Sequence, residues 1–516
     1  MFIRIVMIAA LALVLAPAVT VHAANKEVDR AKGAYQLAQD ADARDAALAA
    51  LVATEHEEAV EFIVARIARE EDDIRRNEFI TALSQFSASK PVKALLKAAE
   101  SVDSEGDHQL THHQCDLLTA LALSRKSDVA ERGLRKLLED QRLKPWTTLA
   151  LVEAIRAADV VDPGAGRRFS TEVRALLAKK QARRLELEIV TLNVLACLKQ
   201  LTPKDTPEER NATVRAIVDW QAWSHNTQPR LQDMADRVLS HLTGETCTLN
   251  DETLNFWRWW LANSPDGADQ PKPQARRTAT LFEQPSFGDH IVFVIDVSDS
   301  MKYDVTDEGR AAIRKKTEHL DWTRIKSKLD LARQELIHSI NQLNPGKDAQ
   351  DSQRPRFAIV AYSDRVFTRT NGWLIADDDG CKSGVAIAEK LEIKFTTNIH
   401  DGLAQAFEIH DGGNKAAHPD TDQGCVLSGA HTIVFLTDGY ATANDDKKLV
   451  EPANILASIR RLNRFRKVVI NTVGIGNYDK QLMTDLATDS GGEPTDWYFK
   501  ENVDEKKGNF GPAVGR

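Results

Sequence analysis

Near residue 265 the hydrophobic pattern of this 516-residue chain changes its period, and no single core can satisfy both patterns. Before that point, "DARDAALAALVATE", "EEAVEFIVARIARE", "SDVAERGLRKLLED" and "RLELEIVTLNVLACL" carry apolar residues at i, i+3, i+4 spacing, broken by "SASKP", "DPGAG" and "TPKDTPEE". From His290 onward, continuous apolar runs alternate with amphipathic stretches. "IVFVIDVS" is followed by "WTRIKSKLDLARQELIHSINQL", "RFAIVAYS", "NIHDGLAQAFEIH", "HTIVFLTDG", "EPANILASIRRLN", "KVVINTVGIG", "KQLMTDLATDSGG" and "DWYF". The first pattern predicts paired helices stacked side by side. The second predicts an α/β doubly wound, Rossmann-like domain, its mostly parallel sheet covered on both faces. A Pro-rich, aperiodic stretch between them reads as a linker. The expected layout is a signal peptide over 1–24, an α-helical region over 25–264, a linker over 265–287, an α/β domain over 288–505 and a tail over 506–516.

The first residues, "MFIRIVMIAALALVLAPAVTVHAANK", combine a charged start at Arg4, an apolar stretch and the small-x-small "VHA". That is the form of a secretory signal peptide cut between Ala23 and Ala24, so the mature protein is expected to be exported to the periplasm, the cell envelope or the medium. No later apolar run reaches the length of a membrane span. A net charge of -9 argues against general nucleic-acid binding. Export permits disulfides. Cys115 and Cys197 lie in apolar helical contexts and read as buried thiols, whereas Cys381 ("DDDGCKSG") and Cys425 ("DQGCVLSG") fall in polar stretches and are the expected disulfide pair.

The helical region resembles HEAT-like repeats in its succession of amphipathic helices, although its period is blurred. Three features in and beyond it invite functional readings. His108 and His112, with His113 and Cys115 nearby, have the i, i+4 spacing of a zinc-binding helix face, but lack a HExxH motif and a fourth ligand, so burial is the plainer reading. Trp257 and Trp260 in "FWRWWLANSPDG" share one helical face, where core packing is again the plainer reading. The basic clusters "RKK" and "RRLNRFRK" read as solvated helix faces.

The informative chemistry sits at strand ends. "HIVFVIDVSDSMKYD" ends a buried strand in Asp296 and follows it with Ser298 and Ser300. "FTTNIHDGL" places Thr396 and Thr397 before a helix, and "IVFLTDG" ends another buried strand in Asp438. In doubly wound sheets, ligands bind at the carboxyl ends of strands. Carboxylates and hydroxyls without His or Cys are hard ligands, suited to Mg²⁺, Ca²⁺ or Mn²⁺. Asp296, Ser298, Ser300, Thr397 and Asp438 are therefore the expected metal set, with a position left open for an outside oxygen.

Together, "DVSDSM", "TTNIHDGL" and "LTDG" resemble the von Willebrand factor A (VWA) domain and its metal-ion-dependent adhesion site, over about 290–505. The resemblance implies that Ser298 and Ser300 coordinate a divalent cation, Mg²⁺ foremost, directly. Thr397 would join directly or through water. Asp296 and Asp438 would neutralise the ion largely through bridging waters, and a partner's Glu or Asp would complete the shell. It also implies that the last helix, near "KQLMTDLATDSGG", can shift with the metal shell. One departure is Asp299, where the family often has glycine.

Three functions follow from this reading. The first is metal-dependent binding of a protein partner that offers a carboxylate, with the helical array as a second surface. The second is an envelope scaffold whose metal only stabilises it. The third, a metal-assisted hydrolase, lacks a general base, and no P-loop, GxSxG, HExxH or dinucleotide fingerprint occurs. The expectation is a binding protein and no enzyme.

Overall fold

A computed structural model describes residues 25–497, apart from 105–106, 126, 141, 179–184, 225–227, 264–279, 283, 316, 348, 351–353, 395, 414–422 and 441–450. The expected signal peptide, most of the expected linker and the C-terminal tail lie outside the described residues. The chain divides into two compact units, with the principal boundary at residues 275 and 276.

The first unit is helical. The helices Ala41–Ala53, Asp73–Ser84, His108–Leu123, Pro145–Val161 and Leu185–Leu201 pack in succession as one layer. The intervening helices, Glu57–Ile67, Ser89–Ser101, Asp128–Glu139, Ser170–Leu177 and Pro207–Ser224, pack in succession as the other. This is a stack of helix pairs, as the HEAT-like pattern predicts. Local sequence explains the units. In Asp128–Glu139, Ser127 caps the first turn by accepting from the Ala130 N–H, and Ala130, Leu134 and Leu138 form the buried stripe. The "DPGAG" break is closed by the buried Asp159, whose Oδ1 accepts the N–H groups of Gly164, Gly166 and Arg167. Trp257 and Trp260 are buried core residues, as is His112. His112, His113 and Cys115 do not form a metal-holding cluster among the described residues.

The second unit is built on a mixed seven-stranded sheet. A short antiparallel pair, β1 (Thr280–Leu281) and β2 (Gln284–Pro285), precedes it. The sheet strands are β3 (His290–Asp296), β4 (Arg356–Tyr362), β5 (Val366–Thr368), β6 (Leu374–Ile375), β7 (Thr432–Thr437), β8 (Val469–Ile475) and β9 (Pro494–Trp497). Their order is β5-β4-β3-β7-β8-β9, with β6 also on β4. The β4, β3, β7, β8 and β9 neighbours are parallel, and β5 and β6 add antiparallel edges. Alternation along each strand divides two cores. Ile291, Phe293 and Ile295 face the helix Lys328–Leu343, while Val292 and Val294 face the helices Ile399–Glu408, Pro452–Asn463 and Lys480–Ser490. Fully burying each such side chain contributes about 1.5–3 kcal/mol, which is why both faces must be covered. The chain leaves β3 over one face and β7 over the other, so the carboxyl ends of these neighbours flank a topological switch point.

Two expectations need correction. Cys381 and Cys425 do not form a disulfide. Both are buried and lie on helices: Asp378–Glu389, where the Cys381 thiol turns to the Ile340 carbonyl, and Gln423–Ser428, where Cys425 turns to that of Glu408. The acidic residues before Cys381 had the look of a loop, but Asp377 is the N-cap and Asp378 and Asp379 occupy the first helical turn. Residues 280–287, read as the end of the linker, instead belong to the sheet domain, because Phe282 and Phe287 are fully buried and Phe282 packs beside Phe293 and Trp497.

Candidate metal centre

β3 delivers Asp296 fully buried at its carboxyl end, and the chain then turns into a short 3-10 helix, Asp299–Lys302. Ser298 is buried and Ser300 partly so. The Ser298 and Ser300 hydroxyl oxygens are 3.0 Å apart, and Ser300 donates to Asp438 Oδ1 at 2.7 Å. Asp438 arrives from the end of β7 and is itself buried. Thr397 is buried ahead of the helix Ile399–Glu408, and its hydroxyl lies against Gly439, where a side-chain carbon would come within 3.4 Å of it. The expected set therefore gathers at one edge from three separate segments. Thr396 is exposed.

Both carboxylates are oriented by the chain's own donors. Asp296 Oδ1 accepts the Ser298 N–H at 2.8 Å, and Oδ2 accepts the Thr437 hydroxyl at 2.7 Å and the Tyr362 hydroxyl at 3.4 Å. Burial, and then the neighbouring Asp438 carboxylate, push the Asp296 carboxyl well above the ordinary carboxylate range. Asp438 Oδ2 accepts from Lys328 Nζ at 2.9 Å, in an ion pair with both side chains fully buried. Sequence reading missed Lys328, Thr437 and Tyr362. Thr437 directly precedes Asp438, and Lys328 stands in a first helical turn where acidic residues are preferred, so both carried a signal.

The donor set fits a hard divalent cation. Ligands at about 2.1 Å in octahedral geometry sit roughly 2.9 Å from their neighbours. The 3.0 Å spacing of the Ser298 and Ser300 hydroxyl oxygens is close to such an edge, and the Ser300–Asp438 hydrogen bond holds a carboxylate beside it. Asp299 does not disturb this arrangement. It lies at the start of the 3-10 helix, outside the positive-φ positions, and its exposed carboxylate pairs outward with Lys302. No glycine-specific backbone is required there.

A second polar cluster lies at the opposite ends of the same strands. Asp289, His290 and His431 form the one group of His, Cys or acidic side chains near enough to share a metal among the described residues. Asp289 Oδ1 lies 2.8 Å from His290 Nδ1 and 2.9 Å from His431 Nδ1. Two ligands of one tetrahedral zinc would stand about 3.4 Å apart, so these are hydrogen-bond lengths. His431 Nδ1 is also 3.2 Å from the Asp289 N–H, but an unprotonated nitrogen would be repelled by the carboxylate at 2.9 Å. The shorter contact is therefore an Nδ1–H donating to Asp289. Burial opposes ionisation of Asp289, yet the two histidines hold its carboxyl well below the usual range. Burial pushes the His431 imidazole down to about 3.

No helix among the described residues is long and apolar enough to cross a membrane. No curated protein matches the chain. Among solved structures, one described as von Willebrand factor type A from Catenulispora acidiphila is similar at 19% identity, with 41% of this chain and 38% of that one covered and a TM-score of 0.27. A mutant of the PilB minor pilin from Streptococcus sanguinis is similar at 15% identity, with 41% and 57% covered and a TM-score of 0.26. Both likenesses are partial, and the chain spans less than two thirds of either protein's length. The family model for the von Willebrand factor type A domain matches residues 290–507, which hold the whole sheet and the five expected ligand residues. The chain thus carries a von Willebrand factor type A domain behind a helical, repeat-like N-terminal region.

Proposed function

We propose that this protein is an exported, non-catalytic binding protein whose A domain holds a partner protein through a divalent cation, Mg²⁺ foremost. The convergence of the Ser298 and Ser300 hydroxyls, 3.0 Å apart, with the Asp438 carboxylate on the edge between β3 and β7 carries this reading. In it, Ser298 and Ser300 are the direct ligands, and Thr397 joins directly or through water. Asp296 and Asp438, whose oxygens are engaged by Thr437, Ser298, Ser300 and Lys328, act mainly as oriented counter-charges. The bound ion would supply an electrophilic open position for an oxygen of the partner, a Glu or Asp carboxylate fitting best. Among the described residues, the one amine beside the hydroxyls is that of Lys328, and it is ion-paired to Asp438 and so ill-placed to act as a general base. Export rests on the N-terminal sequence alone.

The test is thermal unfolding of the full chain in EDTA and in millimolar Mg²⁺, Ca²⁺ or Mn²⁺, beside Asp296→Ala. A cation at 100 times its dissociation constant adds about 2.7 kcal/mol, which raises Tm visibly. A shift in wild type that vanishes in Asp296→Ala is the expected result. Equal Tm in EDTA and all three cations would remove the metal-dependent reading.

A further inference from the structure

We infer that Lys328 is a built-in counter-cation of this site, weakening its hold on the divalent ion and setting the filled site to take an anionic group. The inference deepens the binding function proposed above and rests on it.

Lys328 is the first residue of the helix Lys328–Leu343. The helix start is firmly set: Ser327 and Asp330 form a reciprocal capping box, and the Lys328 N–H donates to the Tyr303 carbonyl at 3.0 Å. A cation in a first turn opposes the helix dipole, so helix formation gives no reason for a lysine here. Core packing gives none either, because a buried ammonium must be paired to be tolerated. The side chain nevertheless runs inward, is fully buried, and ends 2.9 Å from Asp438 Oδ2. It also lies 5.9 Å from the Tyr303 ring centroid, in the segment that follows the two serines. The other oxygen of Asp438 accepts from Ser300. One carboxylate is thus shared between the candidate ligand set and a fixed positive charge.

Formal charge then decides the chemistry. Lys328 adds a positive charge to the site in a buried setting, where Coulomb interactions are strong. The lysine repels the incoming cation, which lowers its affinity. The same charge attracts a partner carboxylate, so the open position favours an anion over a neutral oxygen.

The experiment uses the full chain as wild type, Lys328→Met, Lys328→Gln and Lys328→Arg, with far-UV circular dichroism to check folding. Calorimetry first titrates Mn²⁺, then titrates acetate as the anionic probe into Mn²⁺-saturated protein. In the uncharged variants Mn²⁺ should bind about tenfold or more tightly and acetate about tenfold more weakly, a low figure for repulsion across a few ångströms at an effective dielectric near 20. Lys328→Arg should stay close to wild type. Mn²⁺ binding seen only in the uncharged variants would also support the inference. Unchanged Mn²⁺ and acetate affinities in a folded Lys328→Met or Lys328→Gln would overturn it while leaving the metal site standing. No Mn²⁺ binding in any variant would overturn both.

Discussion

Strands β3 and β7 lie side by side and carry polar clusters at both ends, yet the two ends are chemically opposite. At the amino ends, two imidazole N–H groups converge on the single Asp289 carboxylate. Gly288, at φ 68°, lets the chain close on His431, since an added side-chain carbon would meet its ring at 2.6 Å. The carboxylate there is satisfied by donors of the cluster itself. At the carboxyl ends, the Asp296 and Asp438 carboxylates and the Ser298, Ser300 and Thr397 hydroxyls gather beside the Lys328 ammonium. Hydroxyls can turn their hydrogens aside and present lone pairs, so this end keeps acceptors to offer a cation. Topology reinforces the difference, because the chain leaves β3 and β7 over opposite faces and opens a crevice only at their carboxyl ends.

The largest expected effect comes from breaking the carboxyl end. Asp438→Ala removes the carboxylate paired with fully buried Lys328, and breaking a buried pair by removing one partner costs about 3–5 kcal/mol. Urea unfolding in EDTA should show that loss. A cost below about 1 kcal/mol would mean the pair is not the buried neutralising contact described here.

The amino end should respond to pH instead. In the folded protein His431 stays neutral down to about pH 3, whereas in the unfolded chain it takes up a proton below its ordinary value of 6.5. The unfolded state therefore binds more protons in that window, and stability falls as pH drops from about 6.5 towards 3. The contribution is at most about 1.4 kcal/mol per pH unit. His431→Asn should flatten that part of the stability-pH curve relative to wild type. Parallel curves for the two proteins would show that His431 is not held neutral.

The smallest effect sharpens the boundary of the carboxyl site. Asp299→Gly restores the residue often found in related domains, but the Asp299 carboxylate is exposed and pairs with Lys302. Stability should change by less than about 0.5 kcal/mol. Mn²⁺ affinity should change far less than in the Lys328 variants, and a comparable change would place Asp299 inside the site.

Much of this is legible in the sequence alone. The change of hydrophobic period separates the helical unit from the sheet unit because helices and strands bury different spacings of the same residues. "DVSDSM", "TTN" and "LTDG" mark the hard-oxygen set because carboxylates and hydroxyls at strand ends have few structural reasons to occur together. What failed was local and marginal. β5 and β6 are three and two residues long, too short to carry a period. The helix around Cys381 opens on acidic residues that resemble a loop, and this also misled the disulfide expectation. Phe282 and Phe287 were hidden in a Pro-rich context whose composition said linker.

The sequence by itself determined the kinds of atoms at the site and the two classes of domain, because periodicity and ligand type are properties of residues in order. Only the tertiary structure decided which charges share a space. Lys328 and Asp438 are separated by 110 positions, and His431 and Asp289 by 142. No pattern along the chain encodes such a pairing, since Coulomb energy depends on distance and burial after the sheet has closed.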